Sequence, residues 1–504
     1  MFTKAIKPID SFLNGITMYR LLLYGLSAIL ISALVFAAWG FISLPVVGLA
    51  LSIAILLIVC YGLNRLLAVI FHAYPNSESA LITALILACI LPAATSINRA
   101  LLIALTGGLA MASKYLLAWR RKHVFNPAAA SALIVSTSGL LPVTWWIATP
   151  ILLPVVSLVG LLVIRKVRLG WFFALFASTS LLVIALAAWL RGDPLGATLI
   201  IAVMSWPLVF FGTIMVTEPL TMPGRRYERN LFAILVGSIF ASQLHIGPLD
   251  TSPQLALIIG NIFAFSVNPL DHLAVVFRQR VALTPTSFDY IFDLPKHRRL
   301  HFLPGQYMEW TLPHHRIDGR GNRRTFTIAS APEESSLHLG VKFYEPSSSY
   351  KQALAALQPG DTLAVGNVAG EFLLPAKPGQ SLVWIAGGIG ITPFRSMLQH
   401  LLEHHQSRPI TLFYLVSSGQ EIAYKDVLDQ AKAQLQTRII YVVDKGAAPS
   451  HELGWVGQLD IDKLIHHLPA HQTLKNSHFY LSGPPEWFST SRVVYDKPAL
   501  TLDV

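Results

Sequence analysis

Two segments in the C-terminal half of the chain combine residue types that bind phosphate groups. The first, 324–330, reads Arg-Thr-Phe-Thr-Ile-Ala-Ser. The planar donor fork of arginine suits phosphate oxygens, and residues of a strand alternate between its two faces. Arg324 and Phe326 are therefore predicted to share one face. Thr325 and Thr327 then point to the other. A basic-aromatic strand is by itself usually structural, so its neighbours decide its meaning.

The second segment is an apolar run, 382–386, followed by a glycine-rich turn. The turn and the residues after it include Gly387, Gly388, Gly390, Thr392 and Pro393. Glycines let a backbone approach a ligand closely, and the N-terminus of a helix favours an anionic pyrophosphate. A glycine-rich turn alone is weak evidence, but this one has the strand–turn–helix context that a dinucleotide site requires.

The elements that must position these motifs differ along the C-terminal half. Residues 281–375 form short alternating segments separated by turn signals such as Pro359-Gly360-Asp361, which is typical of an antiparallel β-barrel. Residues 380–504 alternate apolar strands with helical stretches, as an open parallel sheet does. We therefore predict a β-barrel domain at 273–378 and an α/β nucleotide-binding domain at 379–504.

The order of motifs in this half resembles the ferredoxin-NADP reductase family. Segment 304–307 precedes the Arg324 strand, 347–350 and 370–372 follow it, and Gly-Gly-x-Gly-x-Thr-Pro and 479–485 come later. The resemblance covers about 278–487 and implies FAD on the barrel, NAD(P)H on the sheet, and Thr327 as the catalytic residue beside the flavin. The residues that it places at the cofactors are Tyr307, Arg324, Thr325, Phe326, Thr327, Ser349, Gly387, Gly388, Gly390, Thr392, Pro393, Gly483 and Pro484.

The nucleotide preference and the C-terminal tail are less clearly indicated. A 2′-phosphate calls for Arg or Lys after the second strand of the parallel sheet, where 416–421 reads Val-Ser-Ser-Gly-Gln-Glu. NADH is therefore favoured over NADPH, although Lys425 could still reach. The family usually continues to a C-terminal aromatic or acidic residue near the flavin, whereas 487–504 is short and lacks that pattern.

The N-terminal half has the composition of a membrane domain. The 504 residues are 53% hydrophobic and only 13% charged, and the apolar excess lies in 17–270. Soluble proteins usually carry about 25% charged residues. A membrane-spanning helix needs about 20 mostly apolar residues, so we predict a polytopic α-helical domain at 1–272 with about ten spans. The predicted spans are 18–42, 44–64, 78–95, 98–118, 128–142, 147–164, 170–190, 196–216, 229–245 and 252–270.

The positive charges of this half predict its orientation. Basic clusters precede the first span and follow the second, fourth, sixth, eighth and tenth, with Arg191 as the main exception. By the positive-inside rule, both termini and the reductase half are cytoplasmic in a multi-pass protein of the cell membrane. The net charge of +11 is explained by this topology rather than by nucleic-acid binding.

Two polar breaks interrupt the apolar pattern, at 122–128 and 216–226. Each pairs a proline with polar side chains, which indicates either broken helices at a site between inverted repeats or ordinary interfacial loops. The residues singled out there are Asn126, Pro127, Thr217, Glu218 and Pro219.

With 260–262 and 268–271, these breaks resemble the membrane flavin subunits of the sodium-pumping NADH:quinone reductase and of the Rnf complex. The resemblance covers about 100–272. It implies a flavin or quinone site and a second flavin, FMN or riboflavin, in this half. The family attaches FMN to a threonine in a Ser-Gly-Ala-Thr-like loop. Here Gly196-Ala197-Thr198 lacks the serine and is more simply a helix start, so covalent attachment at Thr198 is doubtful.

Taken together, the motifs predict an FAD-dependent NAD(P)H oxidoreductase. It would pass electrons to a membrane flavin, a quinone or an acceptor across the membrane, with redox partner subunits as an open alternative. A redox-driven or redox-regulated ion transporter is the second hypothesis. A haem reductase is the third and least favoured hypothesis. Such a protein needs paired histidines that face each other within spans, whereas those of this half lie near span ends: His72, His123, His245 and His272. The two cysteines, Cys60 and Cys89, cannot hold an iron–sulfur centre, and no metal site is predicted.

Overall fold

The computed structural model describes most of the chain, in two compact units, Met1–Leu270 and Asp271–Val504. The division falls where the composition changes, close to the boundary predicted at residue 272. The described residues are 9, 12–13, 16–71, 76–119, 122–242, 244–246, 249–267, 273–295, 300–314, 317–318, 322–444, 454–470, 472–473 and 476–484. The predicted site segment 268–271 and the tail 487–504 lie outside them.

The first unit is α-helical. Its described helices are α1 (Met18–Ala38), α2 (Val46–Ile70), α3 (Ser77–Ile90), α4 (Ile97–Leu116), α5 (Pro127–Thr137), α6 (Leu153–Val167), α7 (Gly170–Arg191), α8 (Leu195–Met204), α9 (Leu208–Met215), α10 (Arg226–Ser242) and α11 (Pro253–Val267). Two short antiparallel strand pairs, 118–119 with 122–123 and 245–246 with 249–250, complete it. In this part of the chain each predicted apolar segment contains a helix, in the predicted order.

Only some of these helices are long enough to cross a membrane. By length and composition α1, α2 and α7 qualify, and α8 with α9 form a fourth candidate if this pair, bent by 56°, counts as one span. The described helices therefore do not confirm the prediction of about ten spans. Several apolar segments are cut short: α3, α5 and α11 each have fewer than 18 residues. Proline explains one case, because Pro92 follows the end of α3, whereas Pro127 and Pro253 only set where α5 and α11 begin.

The second unit begins with a six-stranded antiparallel sheet. Its strands are β1 (Leu273–Ala282), β2 (Ser287–Asp293), β3 (Tyr307–Thr311), β4 (Arg323–Thr327), β5 (Ser336–Lys342) and β6 (Thr362–Ala369), in the spatial order β4-β3-β6-β1-β2-β5. A short helix, α12 (Ser349–Ala355), precedes β6. The amide of Ala329 donates to the carbonyl oxygen of His338 at 3.0 Å, which joins the two outer strands at one end. The predicted antiparallel barrel is thus a strongly curved sheet with a buried aromatic core that includes Trp310 and Phe292.

A five-stranded parallel sheet follows. Its strands are β7 (Ser381–Gly387), β8 (Ile410–Val416), β9 (Arg438–Val443), β10 (Gly454–Val456) and β11 (Ser477–Ser482), in the order β10-β9-β8-β7-β11. Its described helices are α13 (Thr392–Glu403), α14 (Lys425–Leu435) and α15 (Ile461–His467). Every residue of β7 and β8 is buried, as expected for central strands covered on both faces. The predicted α/β architecture is confirmed.

Polar side chains join the two sheets of this unit. Tyr424, which precedes α14, donates its hydroxyl to the Asp289 carboxylate at 3.1 Å, and His338 lies 2.6 Å from the other oxygen. Burial raises the pKa of Tyr424 well above its ordinary value, so this phenol stays protonated and remains a donor. Gly340 permits the approach, since a Cβ there would lie 2.6 Å from the Tyr424 hydroxyl.

Candidate functional site

The strand β4 places its basic and aromatic side chains toward the inside of the curved sheet. In the register with β3, Arg324 pairs with Trp310 and Phe326 with Met308, both of which are fully buried. The Phe326 ring lies 5.9 Å from that of Tyr350. The predicted shared face of Arg324 and Phe326 is confirmed by this register.

The opposite face of the same strand pair is open. Thr327 pairs with Tyr307 and Thr325 with Glu309, and Tyr307 is 42% exposed. Gly370, with a φ of +115°, lies beside this ring, where a Cβ would approach it to 3.1 Å. The sheet thus offers a flat aromatic side chain next to the hydroxyl of Thr327.

Arg324 lies between a carboxylate and an aromatic ring. Its guanidinium lies 3.2 Å from the Asp318 carboxylate and 5.1 Å from the centre of the Tyr350 ring. The Arg324 side chain is only 17% exposed. Burial raises the pKa of Tyr350, whose hydroxyl donates to the Trp310 carbonyl oxygen at 3.3 Å. The position of the guanidinium is therefore fixed on one side by a neutral ring and on the other by a carboxylate.

Ser349 belongs to the same cluster. Its hydroxyl accepts from the amide of Asp318 at 3.0 Å and lies 3.1 Å from Nε2 of His314. Its own amide donates to Asp318 at 3.3 Å. The structure thus brings Ser349 and Arg324 together around one carboxylate. This donor set of a guanidinium, an amide and a hydroxyl suits a phosphate group. Asp318, His314 and Tyr350 were missed from the sequence, and only Tyr350 carried a signal, as the neighbour of Ser349.

The glycine-rich turn links β7 to α13. Gly388 has a φ of +54°, a left-handed conformation that favours glycine, and no atom lies within 4 Å of a Cβ built on it. Thr392 and Pro393 are buried at the start of α13. The turn therefore leaves an open backbone surface at the N-terminus of a helix, the arrangement that a pyrophosphate requires.

A second turn packs against the first. A Cβ on Gly390 would lie 2.6 Å from the carbonyl carbon of Ser482 and 2.8 Å from Cα of Gly483. A Cβ on Gly483 would in turn lie 2.9 Å from Cα of Gly387. Gly483 and the following Pro484 thus stand at the end of β11, directly beside the end of β7.

The strand order explains why these turns form a site. The chain leaves β7 for β8 on one side, whereas β11 pairs with β7 on the other side. Ligands of open α/β sheets bind outside the carboxyl ends of the strands at such a switch point. The glycine and proline positions predicted at the nucleotide, with Thr392, are therefore grouped at the carboxyl ends of β7 and β11.

The first unit contains a separate polar cluster, which unites the two predicted breaks. The Asn126 side chain donates to the Glu218 carboxylate at 2.8 Å, and Thr221 donates to the same oxygen at 3.1 Å. The amide of Asn126 donates to Asn261 at 2.9 Å, and Asn261 donates to the Thr221 carbonyl oxygen at 3.1 Å. Asn126 also caps α5 by accepting from Ala129 at 3.0 Å. The breaks, 92 residues apart in sequence, thus share one carboxylate.

The remaining predicted residues of this unit have ordinary roles. Pro127 is buried as the first residue of α5, and Pro219 is exposed. The Thr217 hydroxyl donates to the Thr213 carbonyl oxygen at 2.7 Å, within the π-helical turn Phe211–Met215 that ends α9. Thr198 does not join the Asn126–Glu218 cluster. Its hydroxyl donates to the Pro194 carbonyl oxygen at 3.1 Å, in the first turn of α8.

An aromatic cluster that the sequence did not reveal surrounds this π-helical turn. The Phe211 ring stacks on Phe240 at 5.3 Å and lies 5.8 Å from Trp145. Phe176 contacts both phenylalanine rings. π-Helical turns occur often at functional sites. No spacing in the sequence could predict the cluster, because its rings come from four separate segments.

Comparison with known proteins relates the second unit to oxidoreductases. Residues 384–492 match the family model of the oxidoreductase NAD-binding domain. Methane monooxygenase component C of Methylosinus trichosporium is 30% identical over 176 residues, which are 33% of this chain and 50% of that protein. The Na(+)-translocating NADH-quinone reductase of Neisseria gonorrhoeae has a subunit that is 28% identical over 32% of this chain and 42% of its own length.

Two further similarities fall in the same group. NADH-cytochrome b5 reductase 2 of Mycosarcoma maydis is 28% identical over 33% of this chain and 48% of its own length. The cytochrome b5 reductase domain of Ulva prolifera nitrate reductase is 21% identical over 44% of this chain and 90% of that structure, with a TM-score of 0.38. The chain spans about half the length of the curated relatives that it matches. The prediction of an oxidoreductase with an NAD-binding domain is confirmed.

Proposed function

We propose that the chain is a membrane-bound flavin oxidoreductase that passes electrons from NAD(P)H, through FAD in the second unit, to an acceptor at the first unit. The observation that carries the proposal is the close packing of the Gly387–Gly390 turn against Ser482–Gly483, at the switch point of a sheet that matches an oxidoreductase NAD-binding domain. Gly390 and Gly483 let the two turns pack together, and Gly388 leaves open space beside its backbone where a ligand would lie.

The residues of the curved sheet fit FAD. Arg324 and Ser349 would hold the pyrophosphate, with Tyr350 as the platform beneath the guanidinium. Tyr307 and Thr327 would face the ring system, the first through its exposed ring and the second through its hydroxyl. When bound, FAD supplies the chemistry of both steps, accepting a hydride from NAD(P)H and passing on single electrons. The protein orients the FAD and excludes water.

NADH is proposed as the donor rather than NADPH. The residues that follow β8 carry no cation, and Glu421 among them accepts hydrogen bonds from Thr286 at 2.7 Å and Lys342 at 3.0 Å. Lys342 is therefore paired with a carboxylate rather than directed at a 2′-phosphate. Lys425, the nearest candidate for such a phosphate, lies 3.1 Å from Asp429 on its own helix.

The acceptor is proposed to be a quinone or a noncovalently bound flavin near the Asn126–Glu218 cluster. A carboxylate in an apolar helical unit is costly and is typically functional. Thr198 hydrogen-bonds within its own helix, so it offers no support for covalent attachment. The full proposal places about ten helical segments in the cell membrane, with the second unit in the cytoplasm.

The flavin site is tested by Arg324→Ala in the full-length protein. Loss of a hydrogen bond to a charged group costs about 1.5–3 kcal/mol, so FAD affinity should fall about 10- to 100-fold, and NADH oxidation with ferricyanide should fall with it. The matched control is Arg323→Ala, whose side chain is 40% exposed and 3.4 Å from Glu309. It should retain FAD. Full FAD retention in Arg324→Ala would remove the basis of this site.

The acceptor site is tested at Asn126 with two variants. Asn126→Ala removes both the helix cap and the donor to Glu218, whereas Asn126→Asp keeps a capping oxygen and replaces the donor with a second carboxylate beside Glu218. Both variants should slow NADH-dependent quinone reduction about 10-fold, in line with the loss of one charged hydrogen bond, and leave ferricyanide reduction unchanged. A normal rate of quinone reduction in Asn126→Asp would mean that Asn126 acts only as a helix cap.

Redox-coupled ion movement is a second candidate function, favoured by the Glu218 carboxylate held between two broken segments. Turnover with NADH in sealed proteoliposomes should then generate an ion gradient, which Glu218→Gln abolishes. Turnover without any gradient would eliminate this function. The side chains of His72, His123, His245 and His272 lie outside the described ones, so the absorbance spectrum of the purified protein decides on haem.

A further inference from the structure

Three side chains outside the proposed cofactor sites converge on the surface of the second unit. Glu333 lies in the turn between β4 and β5, His400 in the last turn of α13, and His404 at the end of that helix. One oxygen of Glu333 lies 2.9 Å from Nδ1 of His400 and 2.9 Å from Nε2 of His404. All three atoms lie within 4.8 Å of one another.

The spacing of the histidines explains this convergence. Residues four apart lie on one face of a helix, and the rings of His400 and His404 are 4.5 Å apart. Two imidazoles and a carboxylate form a set that zinc and other divalent transition metals bind. Ligand atoms on a tetrahedral zinc lie about 3.3 Å apart, and the Glu333 oxygen lies 2.9 Å from each of the two histidine nitrogens. Small side-chain rotations would therefore suffice.

The backbone on both sides of the cluster is held firmly. Glu334, the residue after Glu333, forms a two-pronged ion pair with Arg395 of α13 and accepts from the amide of Ala331 at 2.6 Å. Arg395 is 6% exposed. The ion pair thus holds the turn against the helix next to the three side chains. Metal binding would therefore cost these side chains little conformational entropy.

The exposure of the cluster suits an exchangeable ion. The side chains of Glu333, His400 and His404 are 27%, 24% and 46% exposed, so solvent reaches the group. Three protein ligands with one position left to water is a common arrangement for zinc. We propose that Glu333, His400 and His404 bind a divalent transition metal ion of the zinc class, which bridges the β4–β5 turn of the curved sheet to the helix that follows the glycine-rich turn.

The bridge has a mechanical consequence. The turn belongs to the curved sheet proposed to hold FAD, and α13 begins at the glycine-rich turn proposed to hold the nucleotide. Because an ion that binds only the folded state stabilises it by mass action, metal should stiffen the connection between the two sheets.

The test uses the chelator-treated, full-length protein and zinc chloride alone. The wild type should bind one zinc ion at this site, and at 100 times its dissociation constant zinc should raise the unfolding temperature of the second unit by about 5–10 °C. His400→Ala, His404→Ala and Glu333→Ala should each weaken binding by at least about 10-fold.

The control is His405→Asn. His405 is an exposed neighbour with a φ of +50°, which asparagine tolerates, and this variant should bind zinc like the wild type. Copper(II) gives a second readout, because its electron paramagnetic resonance spectrum should show two nitrogen ligands in the wild type and one in His404→Ala. Wild-type zinc affinity in a His400→Ala/His404→Ala double variant that has the unfolding temperature of the metal-free wild type would overturn the proposal.

Discussion

At the scale of single residues, the proposed phosphate-binding positions of the second unit depend on which atoms lie next to the Arg324 guanidinium and the Gly388 backbone. Arg324 already faces a carboxylate, that of Asp318, at 3.2 Å. If Arg324 binds the FAD pyrophosphate as proposed, the phosphate would compete with the Asp318 carboxylate for the same guanidinium. Gly388 shows the complementary device, since its left-handed backbone has open space where a Cβ would stand.

Gly390 gives a sharp prediction at this scale. In Gly390→Ala, the new methyl group would press on Ser482 and on Gly483, so one of the two turns must move. Overpacking of this kind costs about 1–3 kcal/mol. The unfolding temperature should fall, and NADH affinity, measured by fluorescence titration, should weaken.

The matched control for that prediction is Gly379→Ala. No atom lies within 4 Å of a Cβ built on Gly379, and its φ is not positive, so this substitution should change stability by less than about 0.5 kcal/mol. If Gly390→Ala behaved like Gly379→Ala in both measurements, the close packing of the two turns would be unimportant for binding.

At the scale of elements, the contact between the curved sheet and the parallel sheet depends on polar pairs. Glu421, just after β8, lies 3.0 Å from Lys342 of β5 and accepts from Thr286 of the β1–β2 turn. Burial raises the pKa of this carboxyl, and the hydrogen bonds from Thr286 and Lys342 outweigh that effect, so that the pKa lies below its ordinary value of 4.5. The charged carboxylate thus stabilises the contact.

This contact predicts a pH dependence. Because the folded-state pKa is lowered, the stabilisation is present above about pH 4.5, the unfolded value, and is lost as the pH falls through the folded value. Glu421→Gln should lower the unfolding free energy by about 1–3 kcal/mol at pH 7, with a smaller difference below pH 4.5. Urea unfolding monitored by fluorescence at both pH values measures this.

Asp429→Asn provides the control for Glu421. Asp429 pairs with Lys425 at 3.1 Å, but both side chains are about half exposed, and such pairs contribute about 0–1 kcal/mol. Its substitution should change stability little at either pH. Equal effects of the two substitutions would mean that Glu421 does not join the sheets.

At the scale of the whole molecule, the chain combines two units of different composition. The first is helical and apolar, and the second carries the nucleotide-binding fold. The positive-inside pattern predicts that the second unit is cytoplasmic and that the turn between α7 and α8 faces the other side of the membrane. Orientation follows from this distribution of charge rather than from any single contact.

Cysteine labelling tests this topology. The native Cys60 and Cys89 are fully buried, so introduced cysteines dominate the reaction with a membrane-impermeant maleimide. Asp193→Cys, in the exposed turn after α7, should react in intact cells. Lys377→Cys, exposed in the second unit, should react only after permeabilisation. Reaction of Lys377→Cys in intact cells would reverse the proposed orientation.

The sequence by itself determined the two-part organisation, the succession of helices in the first unit and the two sheet types of the second. These features follow from local patterns: apolar runs, alternation and turn residues act over a few positions. It also determined which residues of β4 share a face, because alternation along a strand is fixed by its geometry. The number of spans was not determined this way, since proline and polar residues shorten helices that composition alone would extend.

Only the tertiary structure decided which distant residues meet. It joined Asn126 to Glu218, placed Asp318 against Arg324, and set Glu333 beside His400 and His404. It also placed the glycine-rich turn at a switch point, which depends on strand order rather than on the strands themselves. Such contacts join separate segments of the chain, and their geometry depends on the packing of whole elements, which no local pattern encodes.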